Sequence, residues 1–313
     1  MVTTSPRDAT PTLHDACAAT SAALDPAAPR WVLSGRALCL SRPVVVGILN
    51  VTPDSFSDGG RFLELDAALR HADQMESEGA AMIDVGAVST RPGAVWVSED
   101  EEGQRLFPLL RALRASTTLP IAVDTWRSTI AERALELGVE AINDISGGRF
   151  DVAMGPLVAA RRAGFVVCHS DASWEGLHDV RALEPEQVVL QLRRRRDALL
   201  DAGVRAEQLV VDPGFGFGKD VTQNLRLLRQ LTKLQALDLP LYVGGSRKRF
   251  VRAAVGTERD SVEHATTAFH TLALEAGARI LRTHNVSAAV ACVAFWSSTR
   301  EAATSTPAPL SVP

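Results

Sequence analysis

The sequence predicts an α/β fold, a (β/α)8 TIM barrel with an N-terminal hairpin and disordered ends. Three observations carry that expectation. Eight short apolar or β-branched runs recur along the chain, stretches with helical spacing separate them, and the alternation spans about 250 residues, the size of such a barrel. Runs and helices in alternation are the rhythm of a parallel sheet. A doubly wound open sheet would call for a Gly-x-Gly-x-x-Gly turn after the first run, and none stands there.

In chain order, residues 1–30 are rich in Ala, Thr, Ser, Pro and Asp without a sustained apolar period. Such a segment cannot offset its own ordering entropy and is expected to be a disordered arm. Runs at 31–33 and 37–40, joined around Gly35, read as a hairpin covering the barrel bottom. The eight barrel runs are 44–49, 81–85, 120–123, 141–142, 165–167, 209–211, 241–243 and 279–281, with helical stretches at 67–78, 99–115, 125–137, 185–201, 222–234 and 262–276. One barrel domain therefore occupies 31–300. Residues 301–313, small, polar and Pro-containing, are expected to be a disordered tail.

Composition narrows the functional classes. Lys plus Arg number 33 against 37 Asp plus Glu, so no broad cationic face offers itself to nucleic acid or anionic lipid. No apolar run approaches the roughly 20 residues of a membrane span, and no basic-then-apolar export pattern opens the chain, so a cytoplasmic location is expected. Cys17, Cys39, Cys168 and Cys292 lie too far apart for a zinc knuckle and read as reduced thiols. Only three lysines, Lys219, Lys233 and Lys248, stand beside thirty arginines, and a Lys kept against that bias marks a place for a compact ammonium.

In a barrel of this kind the site is built at the carboxyl ends of the strands. Here those ends read Asn50, Asp84, Asp124, Asn143-Asp144, His169, Asp212, Ser246-Arg247-Lys248 and Arg282-x-His284. An ionised carboxylate accepts two parallel N–H bonds, so Asp124, Asn143 and Asp212 suit the donor-rich edge of a flat nitrogen heterocycle. The cations after the last two runs suit phosphate, giving a phosphorylated heterocycle as the implied ligand. Two long glycine-bearing loops, 50–60 and 86–94, read as lids over the mouth.

At these residues the chain resembles the dihydropteroate synthase family of pterin-binding barrels. The likeness rests on Gly47-Ile48-Leu49-Asn50-Val51-Thr52-Pro53-Asp54-Ser55-Phe56-Ser57-Asp58-Gly59-Gly60, then Ser89-Thr90-Arg91-Pro92-Gly93, Ile142-Asn143-Asp144, Asp212-Pro213-Gly214, Gly216-Phe217-Gly218-Lys219, Ser246-Arg247-Lys248 and Arg282-Thr283-His284, in the family's order. The resemblance implies a transferase of folate biosynthesis that joins a pterin pyrophosphate to p-aminobenzoate. It implies that Asp124, Asn143, Asp212 and Lys248 read the pterin, that Asn50 holds a Mg2+ shared with pyrophosphate, and that Arg282 and His284 anchor that pyrophosphate. It likewise places Thr90, Arg91, Pro92, Phe217, Ser246 and Lys248 against p-aminobenzoate, with Thr52 and Asp58 on the first lid. A homodimer formed by the late helices follows from the same likeness.

Other residues carry structural readings. Lys219 can serve either the ligand or nearby backbone, Asp144 a neighbouring loop, and Cys168 the barrel wall. His71, His178, His264 and His270 read as ordinary surface or satisfied histidines, and the 193–196 arginine run as a solvated helix face. Three departures from the family pattern stand out: Gly86-Ala87-Val88 where Gly-Gly-Glu is usual, Ser170 to Trp174 after His169 where Met and a Gly-containing turn are usual, and Asn285 for Asp. The lost carboxylate at Val88 is expected to weaken closure of the second lid, so that Val88→Glu would raise turnover. It also keeps a non-catalytic pterin-binding paralogue as an alternative, beside a folate-dependent methyltransferase domain.

Overall fold

The computed structural model describes residues 28–51, 61–91, 93–170, 173–174, 176–181 and 183–304. The expected arm up to residue 27, the tail from 305, and Thr52, Asp58 and Pro92 lie outside them. An antiparallel hairpin, β1 (Arg30–Leu33) and β2 (Arg36–Cys39), precedes eight parallel strands: β3 (Val44–Asn50), β4 (Met82–Gly86), β5 (Ile121–Asp124), β6 (Ala141–Asp144), β7 (Gly164–Cys168), β8 (Leu209–Asp212), β9 (Leu241–Val243) and β10 (Ala278–Thr283). The sheet closes with β10 paired to both β3 and β9.

Around it run α1 (Arg61–Ser77), α2 (Glu99–Ser116), α3 (Ser128–Glu136), α4 (Met154–Arg161), α5 (Pro185–Asp201), α6 (Val221–Arg229), α7 (Arg249–Val255), α8 (Arg259–Glu275) and α9 (Val286–Thr304). No helix among the described residues is long and apolar enough to cross a membrane.

Three boundaries differ from expectation, each for a local reason. The stretch read as one helix at 222–234 breaks at Gln230 into a 3-10 segment, Leu231–Leu237. Its buried Leu231, Leu234 and Leu237 repeat every three residues, the period that a three-residue turn lines up on one face. The helix expected from 125 starts only at Ser128, whose N–H is taken by Asp151 Oδ2 at 2.8 Å. The last helix continues to Thr304, past the boundary expected at 300.

Side chains alternate across the strands, so the sheet has two apolar faces. Outward residues such as Ile83, Val85, Ile121, Val123, Phe165, Val167 and Val211 pack against the helices in the main core. Inward, Val46, Ala122, Ala141, Val166, Val210, Tyr242 and Ile280 form a second cluster with the hairpin residues Trp31, Leu33, Leu38 and Leu40. The hairpin thus plugs the bottom. Trp31 is fully buried, donates its indole N–H to the Gln208 carbonyl at 2.8 Å, and meets the Tyr242 ring edge-on at 6.4 Å. Trp31→Ala is expected to cost about 3–5 kcal/mol in urea unfolding, the usual range for a truncated buried aromatic. A loss under about 1 kcal/mol would mean that the hairpin does not seal the barrel.

Candidate active site

Two residues beyond each inward apolar residue, the period-2 strand returns to the same face. That rule lifts Asp84, Asp124, Asn143, Cys168, Asp212 and Arg282 into one inward layer directly above Met82, Ala122, Ala141, Val166, Val210 and Ile280. Asp144, one residue out of step, turns away and accepts from Ser146 N and Oγ and from Gly148 N at 2.7–2.9 Å, which makes it a loop-closing group as expected.

Arg282 is the centre of this layer. Its Nε donates to Asp84 Oδ2, and its Nη2 donates to Asp124 Oδ2 at 3.0 Å. Asn143 Nδ2 also donates to Asp84 Oδ2, at 2.9 Å. Asp84 is fully buried and its Oδ1 has no hydrogen-bond partner among the described residues; the same is true of the buried Tyr242 hydroxyl below. Asp84 was visible as a strand ending but unassigned to the ligand. Its function in this structure is to hold the cation that the site depends on.

Asp212 ends β8, two strands from Arg282, and Lys248 follows β9. Asp212 Oδ1 accepts from Gly214 N at 2.8 Å. Gly214 has φ +66°, and a Cβ there would lie 1.9 Å from the His169 carbonyl oxygen, so only glycine allows this turn. Lys248 Nζ donates to the Phe215 carbonyl and sits 4.2 Å from the centre of the Phe217 ring, a cation–π distance. Arg247 adopts φ +57° and pairs with Glu263, so the turn sends Arg247 outward between Ser246 and Lys248. Ser246 Oγ lies 3.1 Å from His284 Nδ1.

Burial sets the charges. It pushes the Asp124 carboxyl up to about 7, against the pull of Arg282 and reinforced by Asp84. Burial also raises Asp212, offset by Lys248, and lowers Lys248, offset by Asp212. His284 is pushed down to about 3 by burial and then by Arg247 and Arg282, so its ring is neutral at physiological pH. Arg282 stays charged, because Asp84 and Asp124 outweigh the effect of its burial.

Asn50 ends β3 half-buried. Asn50, Gly86 and Asp124 are neighbours across three strands, and a Cβ on Gly86 would lie 3.0 Å from Asn50 Oδ1 and 3.6 Å from Asp124 Cβ. The absent side chain at Gly86 lets an amide oxygen and a carboxylate approach each other at the mouth. No group of three or more His, Cys, Asp or Glu is placed for a metal among the described residues. Mg2+ binds through one or two protein oxygens completed by substrate phosphates and water, so these two residues fit it without such a cluster.

Several other readings are resolved. Lys219 is structural: its Nζ lies 3.0 Å from His169 Nδ1 and donates to the Gly214 and Phe217 carbonyls at 2.9 and 3.0 Å. Cys168 is buried wall, its thiol held well above the ordinary range by burial. Asn285 accepts from Ala288 N at 3.1 Å at the start of α9. Two readings are corrected. His270 is buried with neither ring nitrogen hydrogen-bonded among the described residues, so it is not a satisfied histidine. Within the supposed solvated run, Arg196 is half-buried and donates to the Leu237 carbonyl at 2.8 Å.

The second loop also differs from expectation. Val88 is 7% exposed and packs with Val97, Trp126, Ile145 and Leu177, flanked by Phe150, Trp174 and Phe217. Apolar contact holds this loop where a carboxylate was missed. The expected sign of Val88→Glu is therefore reversed: an unpartnered carboxylate in that cluster should cost about 2–4 kcal/mol and lower turnover. Denaturation and turnover measured together check this, and a rise in turnover at unchanged stability would contradict it. Thr90 and exposed Arg91 follow in this loop, with the Thr90 carbonyl accepting from His178 Nε2 at 2.7 Å.

Comparison with known proteins places this geometry in context. The family model described as "Pterin binding enzyme" matches residues 46–284. A dihydropteroate synthase of Streptococcus pyogenes is 39% identical over 261 residues, covering 83% of this chain and 94% of the relative. The structure of Xanthomonas albilineans dihydropteroate synthase with 4-aminobenzoic acid superposes with a TM-score of 0.83 at 37% identity, over 90% of this chain and 100% of the other. The Xanthomonas albilineans enzyme in complex with 7,8-dihydropteroate gives a TM-score of 0.78 at 35% identity, over 89% and 100% of the two chains.

Proposed function

The chain belongs to the pterin-binding enzyme family, among the dihydropteroate synthases, and from that membership we propose a role for each residue at the barrel mouth. The reaction condenses 6-hydroxymethyl-7,8-dihydropterin pyrophosphate with p-aminobenzoate, giving 7,8-dihydropteroate and pyrophosphate in folate biosynthesis.

Asp212 and Asp124 accept from the amino-pyrimidine edge of the pterin, Asn143 completes that edge, and Lys248 donates to the ring carbonyl. Lys248 is suited to this by its seat beside Asp212 and above Phe217. Arg282 and the neutral His284 bind the pyrophosphate, His284 as a hydrogen-bond donor. Thr90, Arg91, Phe217 and Ser246 line the arylamine side. Asn50, with Asp124 beside it, would hold Mg2+, which supplies positive charge to the departing pyrophosphate when bound.

The bond from the pterin methylene to the pyrophosphate oxygen breaks as the arylamine nitrogen bonds to that carbon, and the proton this nitrogen loses leaves on the released pyrophosphate. Negative charge then grows on the leaving group beside Arg282, while positive charge on the pterin faces the carboxylates. The single observation that carries this reading is the inward layer itself: carboxylates and an amide around Arg282, with Lys248 after the neighbouring strand, above an apolar floor.

A homodimer and a cytoplasmic location belong to the same reading. Phe295 on α9 and Leu272 on α8, 75% and 47% exposed, are apolar positions such a contact would cover, and Cys39, Cys168 and Cys292 are free thiols. The test is product formation by purified protein with Mg2+ and both substrates. Pyrophosphate release only in the presence of p-aminobenzoate, with dihydropteroate as product, is expected. Pterin binding without product would favour the non-catalytic alternative.

A further inference from the structure

Three side chains of one short segment after β7, Trp174, Leu177 and His178, reach across to the loops after β4, β5 and β8. Trp174 lies with its ring centre 4.3 Å from that of Trp126 and 5.3 Å from that of Trp96, which belongs to the loop after β4. Leu177, 2% exposed, packs in the cluster that contains Val88 and Val97 of that same loop. His178 Nε2 is 2.7 Å from the Thr90 carbonyl oxygen; a carbonyl only accepts, so this nitrogen carries the proton and donates. On its other side the segment is tied to the loop after β8. Gly218 N donates to the Leu177 carbonyl at 3.0 Å, Arg181 N donates to the Gly218 carbonyl at 3.1 Å, and the His178 ring centre lies 6.0 Å from that of Phe217.

The segment is therefore bonded at once to the loop that carries Thr90 and Arg91 and to the loop that carries Phe217. Those are two walls of the arylamine slot. We infer that Trp174, Leu177 and His178 are positioning residues that fix the width of this slot and so set its affinity for the arylamine substrate. The inference rests on the reading of Thr90, Arg91 and Phe217 as arylamine contacts. Among the described residues none of the three hydrogen-bonds to Asp84, Asp124, Asn143, Asp212 or Arg282, and their link to the pterin side runs through the Phe217 ring, which lies between His178 and Lys248.

The test compares His178→Phe, which keeps a ring and loses the donor, with His178→Gln, whose amide N–H has similar reach, and with Trp174→Ala. Losing one hydrogen bond at this latch should raise KM for p-aminobenzoate about tenfold in His178→Phe, with kcat and the Kd for pterin pyrophosphate within about twofold of wild type. His178→Gln should restore most of the affinity. In Trp174→Ala, amide hydrogen exchange across residues 87–98 should also quicken, a measurement that needs no substrate. Unchanged p-aminobenzoate KM in both His178→Phe and Trp174→Ala would overturn the inference, as would a parallel loss of pterin affinity, which marks general damage. If wild-type protein forms no dihydropteroate, the functional reading has failed, and slot geometry is judged by exchange alone: unchanged rates in Trp174→Ala would overturn it too.

Discussion

Arg282→Met is expected to reduce dihydropteroate formation about a thousandfold, the scale on which a transition-state charge loses its donor. The same change should destabilise the fold. Arg282 holds the fully buried Asp84 and the partly exposed Asp124, and removing one partner of a buried ion pair costs about 3–5 kcal/mol. The stability loss should depend on pH with a definite sign. Asp124 is already raised to about 7 with Arg282 beside it, and without that cation it rises further. A carboxyl raised in the folded state is accommodated while protonated and becomes costly as pH climbs through its folded value, because the unfolded state releases the proton more easily. The deficit should thus be smaller at pH 5 than at pH 8. Urea unfolding at both values checks it, and a pH-independent deficit would exclude Asp124 as its source.

Asp212→Ala should abolish measurable pterin binding, by roughly two to four orders of magnitude. Two charge-assisted hydrogen bonds at about 1.5–3 kcal/mol each are removed and the ring donors are left unpaired in a dry pocket. The variant also frees the Gly214 N–H, which Asp212 holds at 2.8 Å, and leaves Lys248 without its nearest counter-charge. Asp212→Asn separates these effects, since its amide oxygen can keep the Gly214 bond while its NH2 opposes the donor edge of the pterin. Calorimetry with the pterin pyrophosphate should find both variants weak. Wild-type affinity in either would remove Asp212 from the pterin-reading set.

The barrel and its polar layer were readable because the strand period is short and local. Asp124, Asn143, Asp212 and Arg282 each stand two residues after an inward apolar residue, so a linear pattern already placed them together. What could not be read was contact between segments remote in sequence. Asp84 was visible, but its bond to Arg282 spans 198 positions. His178 looked ordinary because Thr90 lies 88 residues away. Val88 looked like a loss because the carboxylate was missing from a local motif, while its partners Trp126, Ile145 and Leu177 come from distant stretches. Lys219 had two readings until the turn through Gly214 and Phe217 brought carbonyls to its ammonium.

The hairpin plug has a kinetic corollary. With Trp31 and its neighbours filling the bottom, the proposed substrates and product would enter and leave by the mouth at the strands' carboxyl ends. If the inward layer reads the pterin and the loop residues Thr90, Arg91 and Phe217 contact the arylamine, as proposed, a p-aminobenzoate molecule seated first would obstruct the pterin behind it. Binding should follow a compulsory sequence, pterin pyrophosphate before arylamine. An unreactive analogue of p-aminobenzoate should then inhibit uncompetitively with respect to the pterin substrate, because it can occupy only enzyme that has already been loaded.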